Sequence, residues 1–141
     1  MSPSYDGRIY LFDTSVWEHT EHPLIASDWA AALGNDQLAV SPVVAFEVLY
    51  TARNQADFEV LEGELDALRQ APLTRGVVRD ARDALHTLSA TNRHRMPFQD
   101  AFIAASAAHK HLGVLHYDGH FDTLSEVLDF ESRWIAPPGS L

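Results

Sequence analysis

The segment Arg8-Ile9-Tyr10-Leu11-Phe12 is short, apolar and aromatic without polar alternation, and it stops abruptly at Asp13. Such a run predicts a strand buried on both faces, which belongs to a parallel sheet covered by helices. Helical spacing follows from about Leu24 to Leu33, closed by Gly34-Asn35-Asp36, and Gln37 to Val40 predicts a second strand. Ser41-Pro42 opens another helix, with serine suited to the N-cap and proline to the first turn. From about Gln55 to Gln70, Phe58, Leu61, Leu65 and Leu68 recur at helical spacing, predicting an amphipathic helix that Ala71-Pro72-Leu73-Thr74 breaks. Val77 to Leu88 resumes the helical pattern, which ends near the polar segment Thr91 to Arg95. Pro97 starts the most apolar helix, Phe98 to His109, whose alanines allow close packing on a sheet. Gly113 to Tyr117 predicts a strand ending at Asp118, and after Phe121 to Leu128 a last short strand covers Arg133 to Ala136.

Alternating strands and helices predict an α/β fold: one domain over residues 1–141, with a central parallel sheet of four to five strands and helices on both faces. The 141 residues, 46% of them hydrophobic, suffice for one domain with a real core. No repeat, low-complexity tract or linker divides them. In this architecture sites form beyond the carboxyl ends of the strands. Asp13 and Asp118 both stand there.

Composition removes several kinds of chemistry. The chain has no cysteine, which excludes disulfides, thiolate zinc sites and a cysteine nucleophile. Met1 to Tyr10 lacks the basic start, apolar run and cleavage site of a leader, and no later stretch approaches membrane-spanning length, so a cytoplasmic protein without membrane contact is expected. The net charge of -10 has the wrong sign for unaided binding to a polyanion. A nucleic-acid function therefore needs a local basic surface, a metal ion, or both.

Four acids occupy positions where a merely solvating charge is unexpected. Asp13 and Asp118 follow buried strands, and Glu47 and Asp100 sit within apolar helices. Two unpaired carboxylates ~5 Å apart repel by roughly 3 kcal/mol at an effective dielectric near 20, so a cluster needs protons or a cation to offset the repulsion. Hard divalent cations with oxygen ligands, Mg2+ or Mn2+, suit such a site, and phosphodiester hydrolysis is the expected chemistry. Taken singly, each acid has an ordinary reading: Asp13 as an N-cap, Glu47 paired with Arg53, Asp100 favouring its helix's first turn, and Asp118-Gly119 as a turn.

The strings Leu11-Phe12-Asp13-Thr14-Ser15-Val16, Phe46-Glu47-Val48-Leu49, Pro97-Phe98-Gln99-Asp100-Ala101-Phe102-Ile103-Ala104-Ala105 and Tyr117-Asp118-Gly119-His120-Phe121 resemble, in order, the successive acidic motifs of PIN-domain VapC toxins. The resemblance covers nearly the whole chain. It implies a parallel-sheet ribonuclease requiring Mg2+ or Mn2+, usually a homodimer, cleaving structured RNA such as transfer or ribosomal RNA. It also implies a VapB-like antitoxin whose C-terminal segment enters the active site. Carried over residue by residue, Asp13, Glu47, Asp100 and Asp118 are the catalytic metal ligands, and the hydroxyl of Thr14 or Ser15 orients them. One departure stands out. Many relatives carry an acid two residues after the position of Asp118, whereas this chain has His120 there and its next acid at Asp122. A four-acid site is expected; of the three roles open to His120, contacting phosphate or occupying the turn is favoured over direct metal binding, because magnesium prefers oxygen.

Arg75, Arg79 and Arg82 share a helix face, and Arg93-His94-Arg95 precedes the helix carrying Asp100. Arg93 and Arg95, expected close to the site, and Arg75 and Arg79 are the RNA-phosphate candidates. Asp80 and Asp83 also fit a solvated, salt-bridged face for the second pair. The histidines show no recognised zinc spacing, and Trp17 is expected to pack under the first helix rather than stack on a base. Phe58, Leu61 and Leu65 form either a core stripe or a dimer or antitoxin contact. A PIN nuclease of RNA maturation or DNA processing without an antitoxin is the nearest competing function. A phosphoryl-accepting receiver is disfavoured because the only lysine, Lys110, lies at a helix end before a strand, and a catalytically silent binding module is disfavoured by the intact acids.

Overall fold

Tyr10, Leu11 and Phe12 are wholly buried, and so are Val114 and Leu115; these two strands form the centre of the protein. The computed structural model describes residues 5–141, so the first residues of the segment Met1 to Tyr10 and of the expected 1–141 domain lie outside the described residues. The elements run β1 (Tyr10–Phe12), α1 (Thr14–Trp17), α2 (Ala26–Gly34), β2 (Leu38–Val40), α3 (Pro42–Tyr50), α4 (Gln55–Asp66) and β3 (Arg69–Gln70). Then follow α5 (Arg75–Ser89), α6 (Phe98–Lys110), β4 (Gly113–His116), α7 (His120–Leu124) and β5 (Ser132–Trp134).

All pairings among the described residues are parallel, in the order β3-β2-β1-β4-β5, with Tyr10 opposite Leu38 on one side and Gly113 on the other. The chain moves outward from β1 to β2 and β3, then returns through α5 and α6 to the far side of β1. Because such crossovers are right-handed, the reversal puts connections on opposite faces and leaves a crevice between the carboxyl ends of β1 and β4. The α/β fold with a parallel sheet is thus the expected one.

Local chemistry explains the helix starts. Ser41 caps α3, accepting from the Val44 amide at 3.3 Å, with Pro42 at the first position. Thr74, expected in a break, caps α5, which therefore begins at Arg75, earlier than its apolar pattern. The close approach of β1 and β4 depends on Gly113, where a Cβ would collide with the Tyr10 ring.

Two expectations need correction. The helix expected from Gln55 to Gln70 stops at Asp66, and Arg69–Gln70 form an edge strand on β2. Leu65 and Leu68 keep helical spacing across the boundary, but the Gln70 side chain donates to the carbonyls of Leu65 and Leu68 at 3.0 and 2.9 Å and closes the helix end. Arg69 is also held by Asp36, through its backbone carbonyl and carboxylate. The last strand covers Ser132–Trp134 rather than Arg133 to Ala136. Among the described residues, no helix is long and apolar enough to cross a membrane.

Candidate active site

The crevice at the ends of β1 and β4 holds the acids. Asp13 follows β1 directly and caps α1, its Oδ2 accepting from the Ser15 hydroxyl at 2.7 Å and, more weakly, from the Ser15 amide at 3.4 Å. The Ser15 hydroxyl in turn accepts from the Tyr117 amide at 3.3 Å, which ties the end of β1 to the segment after β4. The N-cap reading of Asp13 and a site role are therefore compatible: one oxygen is engaged by the cap.

Asp100 lies in the first turn of α6 and is 7% exposed. Asp118 follows β4 and caps the next turn, its Oδ1 accepting from the His120 amide at 2.9 Å. Glu47 projects from α3 and is half-buried; Arg53, its ordinary partner by sequence, pairs with Asp57 instead. The apolar setting expected around Glu47 is only partial, since its neighbour Phe46 and the helix's last residue, Tyr50, are exposed.

These carboxylates sense one another. Burial raises Asp100 to about 6, with the charges of Asp13 and Asp118 adding to the rise and His120 opposing it. Burial also raises Asp13 against the hydrogen bonds from Ser15, and the charge of Asp118 adds to it. Glu47 is raised by burial and by Asp13. Thr14 Oγ1 lies near enough to Glu47 to favour its ionised form, yet no bond of normal geometry closes and this buried oxygen has no partner.

His120 is not merely a turn residue. Its Nδ1 lies 2.9 Å from Asp100 Oδ2 and 3.2 Å from Asp118 Oδ1, and one ligand atom from each of the three residues falls within 4.8 Å of the others. Asp13 and Glu47 stand outside this tightest group. Asp122 points elsewhere: its carboxylate accepts from Ser132 Oγ at 2.7 Å and Trp134 Nε1 at 2.9 Å. Burial would raise its pKa, but these two donors outweigh that and hold it low.

Sequence reasoning missed the group that completes this link. His116, wholly buried at the end of β4, accepts the Asp118 amide on Nδ1 at 3.2 Å and faces Ser132 Oγ with Nε2 at 2.7 Å. Accepting on Nδ1 places the proton on Nε2, and burial depresses the pKa to about 4, so the ring is neutral. A chain of hydrogen bonds thus runs from Asp122 through Ser132 and His116 to the backbone of Asp118. The available signal was a histidine inside the apolar run Val114-Leu115-His116.

The basic candidates divide. Arg93 donates to Glu126 at 2.8 Å, so it is committed to an ion pair, and Arg79 lies 3.9 Å from Asp80. Arg75, Arg82 and Arg95 are exposed and make no ion pair among the described residues. His109 pairs with Asp80, joining α6 to α5, and Trp17 stacks on Phe12 with ring centroids 5.7 Å apart, as packing predicts. The Phe58, Leu61 and Leu65 stripe is split: Leu65 is in the core, Phe58 is 38% exposed, and Leu61 lines a cavity of about 750 Å³ with Trp17 and Trp29.

Comparison with known proteins agrees with this arrangement. The PIN domain family profile matches residues 10–127. Ribonuclease VapC18 of Mycobacterium tuberculosis is 32% identical over 94% of this chain and 99% of its own length. Ribonuclease VapC51 of the same organism is 30% identical over 94% of this chain and 96% of its own. A chain in the crystal structure of DNA-bound VapBC from Salmonella typhimurium superposes with a TM-score of 0.73 at 14% identity, covering 92% of this chain and 99% of that one. VapBC-1 from nontypeable Haemophilus influenzae gives 0.72 at 17% identity, covering 90% and 98%. With its acids gathered at the sheet's switch point, the chain belongs to the PIN-domain family, among the VapC ribonucleases.

Proposed function

We propose that this protein is an endoribonuclease dependent on Mg2+ or Mn2+, the toxin of a VapBC-type pair, hydrolysing phosphodiester bonds of structured RNA such as transfer or ribosomal RNA in the cytoplasm. The observation that carries this reading is the convergence of Asp13, Asp100 and Asp118, with Glu47 beside them, at the carboxyl ends of β1 and β4. The names of the curated relatives support ribonuclease activity, and the solved complexes support a VapB-like antitoxin.

The residues fit a divalent cation. Oxygens of Asp100 and Asp118 converge with His120, no lysine or arginine among the described residues pairs with the four acids, and the buried Thr14 hydroxyl beside Glu47 is unpartnered. Asp13, Glu47, Asp100 and Asp118 would hold the ion. When bound, it supplies charge neutralisation for the acids, polarisation of the scissile phosphate and a lowered pKa for water. The chain's own part is positioning: Ser15 fixes Asp13, the His116 chain fixes the Asp118 backbone, and burial keeps Asp100 able to hold a proton on its carboxyl near neutrality. Arg95 and Arg75, which with Arg82 make no ion pair among the described residues, are assigned to RNA phosphates. The exposed aromatic face of α3, with Phe46 75% and Tyr50 91% exposed, supports a homodimer that covers it.

Expression in a bacterial host with and without the neighbouring reading frame tests the reading. Growth arrest with cleaved RNA, relieved by co-expression of the neighbour, is expected. Metal-dependent cleavage without arrest, or with no relieving partner, would favour a nuclease of RNA maturation instead.

A further inference from the structure

We infer that His120 is a metal ligand through Nδ1 and that it makes this site prefer Mn2+ over Mg2+. The inference rests on the proposed reading of the acidic cluster as a metal site and specifies the ion. Two neighbouring donors on an octahedron of ~2.1 Å radius lie about 3 Å apart. His120 Nδ1 stands 2.9 Å from Asp100 Oδ2 and 3.2 Å from Asp118 Oδ1, the spacing of one donor set around a shared centre.

The local backbone fixes this orientation. The His120 amide donates to Asp118 Oδ1 at 2.9 Å, which folds the start of α7 back over the carboxylate and turns the ring's near nitrogen inward. The far nitrogen, Nε2, makes no hydrogen bond or ion pair among the described residues, and the side chain is 40% exposed. The ring is therefore positioned to use Nδ1 as a ligand while Nε2–H is hydrated, the usual division of labour in a ligating imidazole.

Imidazole nitrogen suits first-row transition ions, whereas Mg2+ demands oxygen. A donor set of Asp100, Asp118 and His120 thus favours the transition ion. Because Nδ1 occupies the same place along the side chain as a carboxylate oxygen of aspartate, His120→Asp changes the donor from nitrogen to oxygen with little change in reach.

The test uses the full chain loaded with Mn2+ and measures electron spin echo envelope modulation alongside calorimetric affinities for Mn2+ and Mg2+. Wild type should show 14N modulation from a directly bound imidazole, and His120→Asp and His120→Asn should lose it. The ratio of Mn2+ to Mg2+ affinity should fall by about tenfold in His120→Asp, whose fold is checked by circular dichroism. Mn2+ binding without nitrogen modulation, or an unchanged ratio in His120→Asp, would overturn the inference and reduce His120 to a counter-charge, while leaving the acidic metal site standing. Failure of wild type to bind either ion, or full binding by Asp100→Asn, would instead overturn the acidic-cluster reading and this inference with it.

Discussion

Asp100→Asn should make the metal-free protein more stable while removing its response to metal. Asp100 is 7% exposed, and burial with the nearby charges of Asp13 and Asp118 raises its pKa from 3.8 to about 6. Between these values the folded protein holds a proton that the unfolded chain has released, so stability falls as pH rises through the interval. Above pH 6 the full penalty applies: about 2 pKa units at 1.36 kcal/mol each, at most about 3 kcal/mol. Asparagine keeps the shape without the charge, but its amide must find partners, so a net gain of about 1–3 kcal/mol is expected, worth several degrees in Tm. Urea unfolding followed by circular dichroism, in EDTA, should show this gain at pH 7.5 and less than half of it at pH 4.5. Added Mn2+ should then stabilise wild type by mass action and the variant much less. A variant no more stable than wild type at pH 7.5 in EDTA, or a gain independent of pH, would refute this electrostatic account.

Asp122→Ala removes the solvent-exposed acceptor of the Ser132 hydroxyl and Trp134 Nε1, so it should lower stability by about 1 kcal/mol and weaken Mn2+ binding, read by urea titration, tryptophan fluorescence and calorimetry. Gly113→Ala pushes a methyl into the Tyr10 ring between the central strands and should cost about 1–3 kcal/mol, measured as a fall in urea midpoint. Arg95→Glu should weaken RNA binding and reduce its salt slope by about one, whereas Arg79→Glu, already beside Asp80, should change binding less; filter binding across a salt series distinguishes them.

The acids were legible as candidates because a charge at the end of a buried strand or inside an apolar helix needs a reason: Asp13 and Asp118 hold the first position and Asp100 the second. The sheet was legible from unbroken strands such as Tyr10–Phe12. The end of α4 was not, because Leu65 and Leu68 continue the helical period while a glutamine side chain caps the turn. Nor was the role of His116, whose partner Ser132 lies in another strand, adjacent only once β4 and β5 pair. The directions of Asp122 and His120 were not legible for a similar reason. A side chain's direction depends on neighbours that sequence spacing does not specify: Trp134 draws Asp122 outward, and the Asp118 cap turns His120 inward.

Cleavage of a transfer or ribosomal RNA substrate by wild type, Asp13→Asn and Asp100→Asn, all shown to be folded, tests the central claim most directly. With Mn2+ or Mg2+ the wild type should cut and EDTA should stop it, while each variant should lose at least about a hundredfold in rate, as expected when a group that stabilises the transition state is removed. Equal metal-dependent cleavage by all three proteins would contradict the assignment of this carboxylate cluster as the active site.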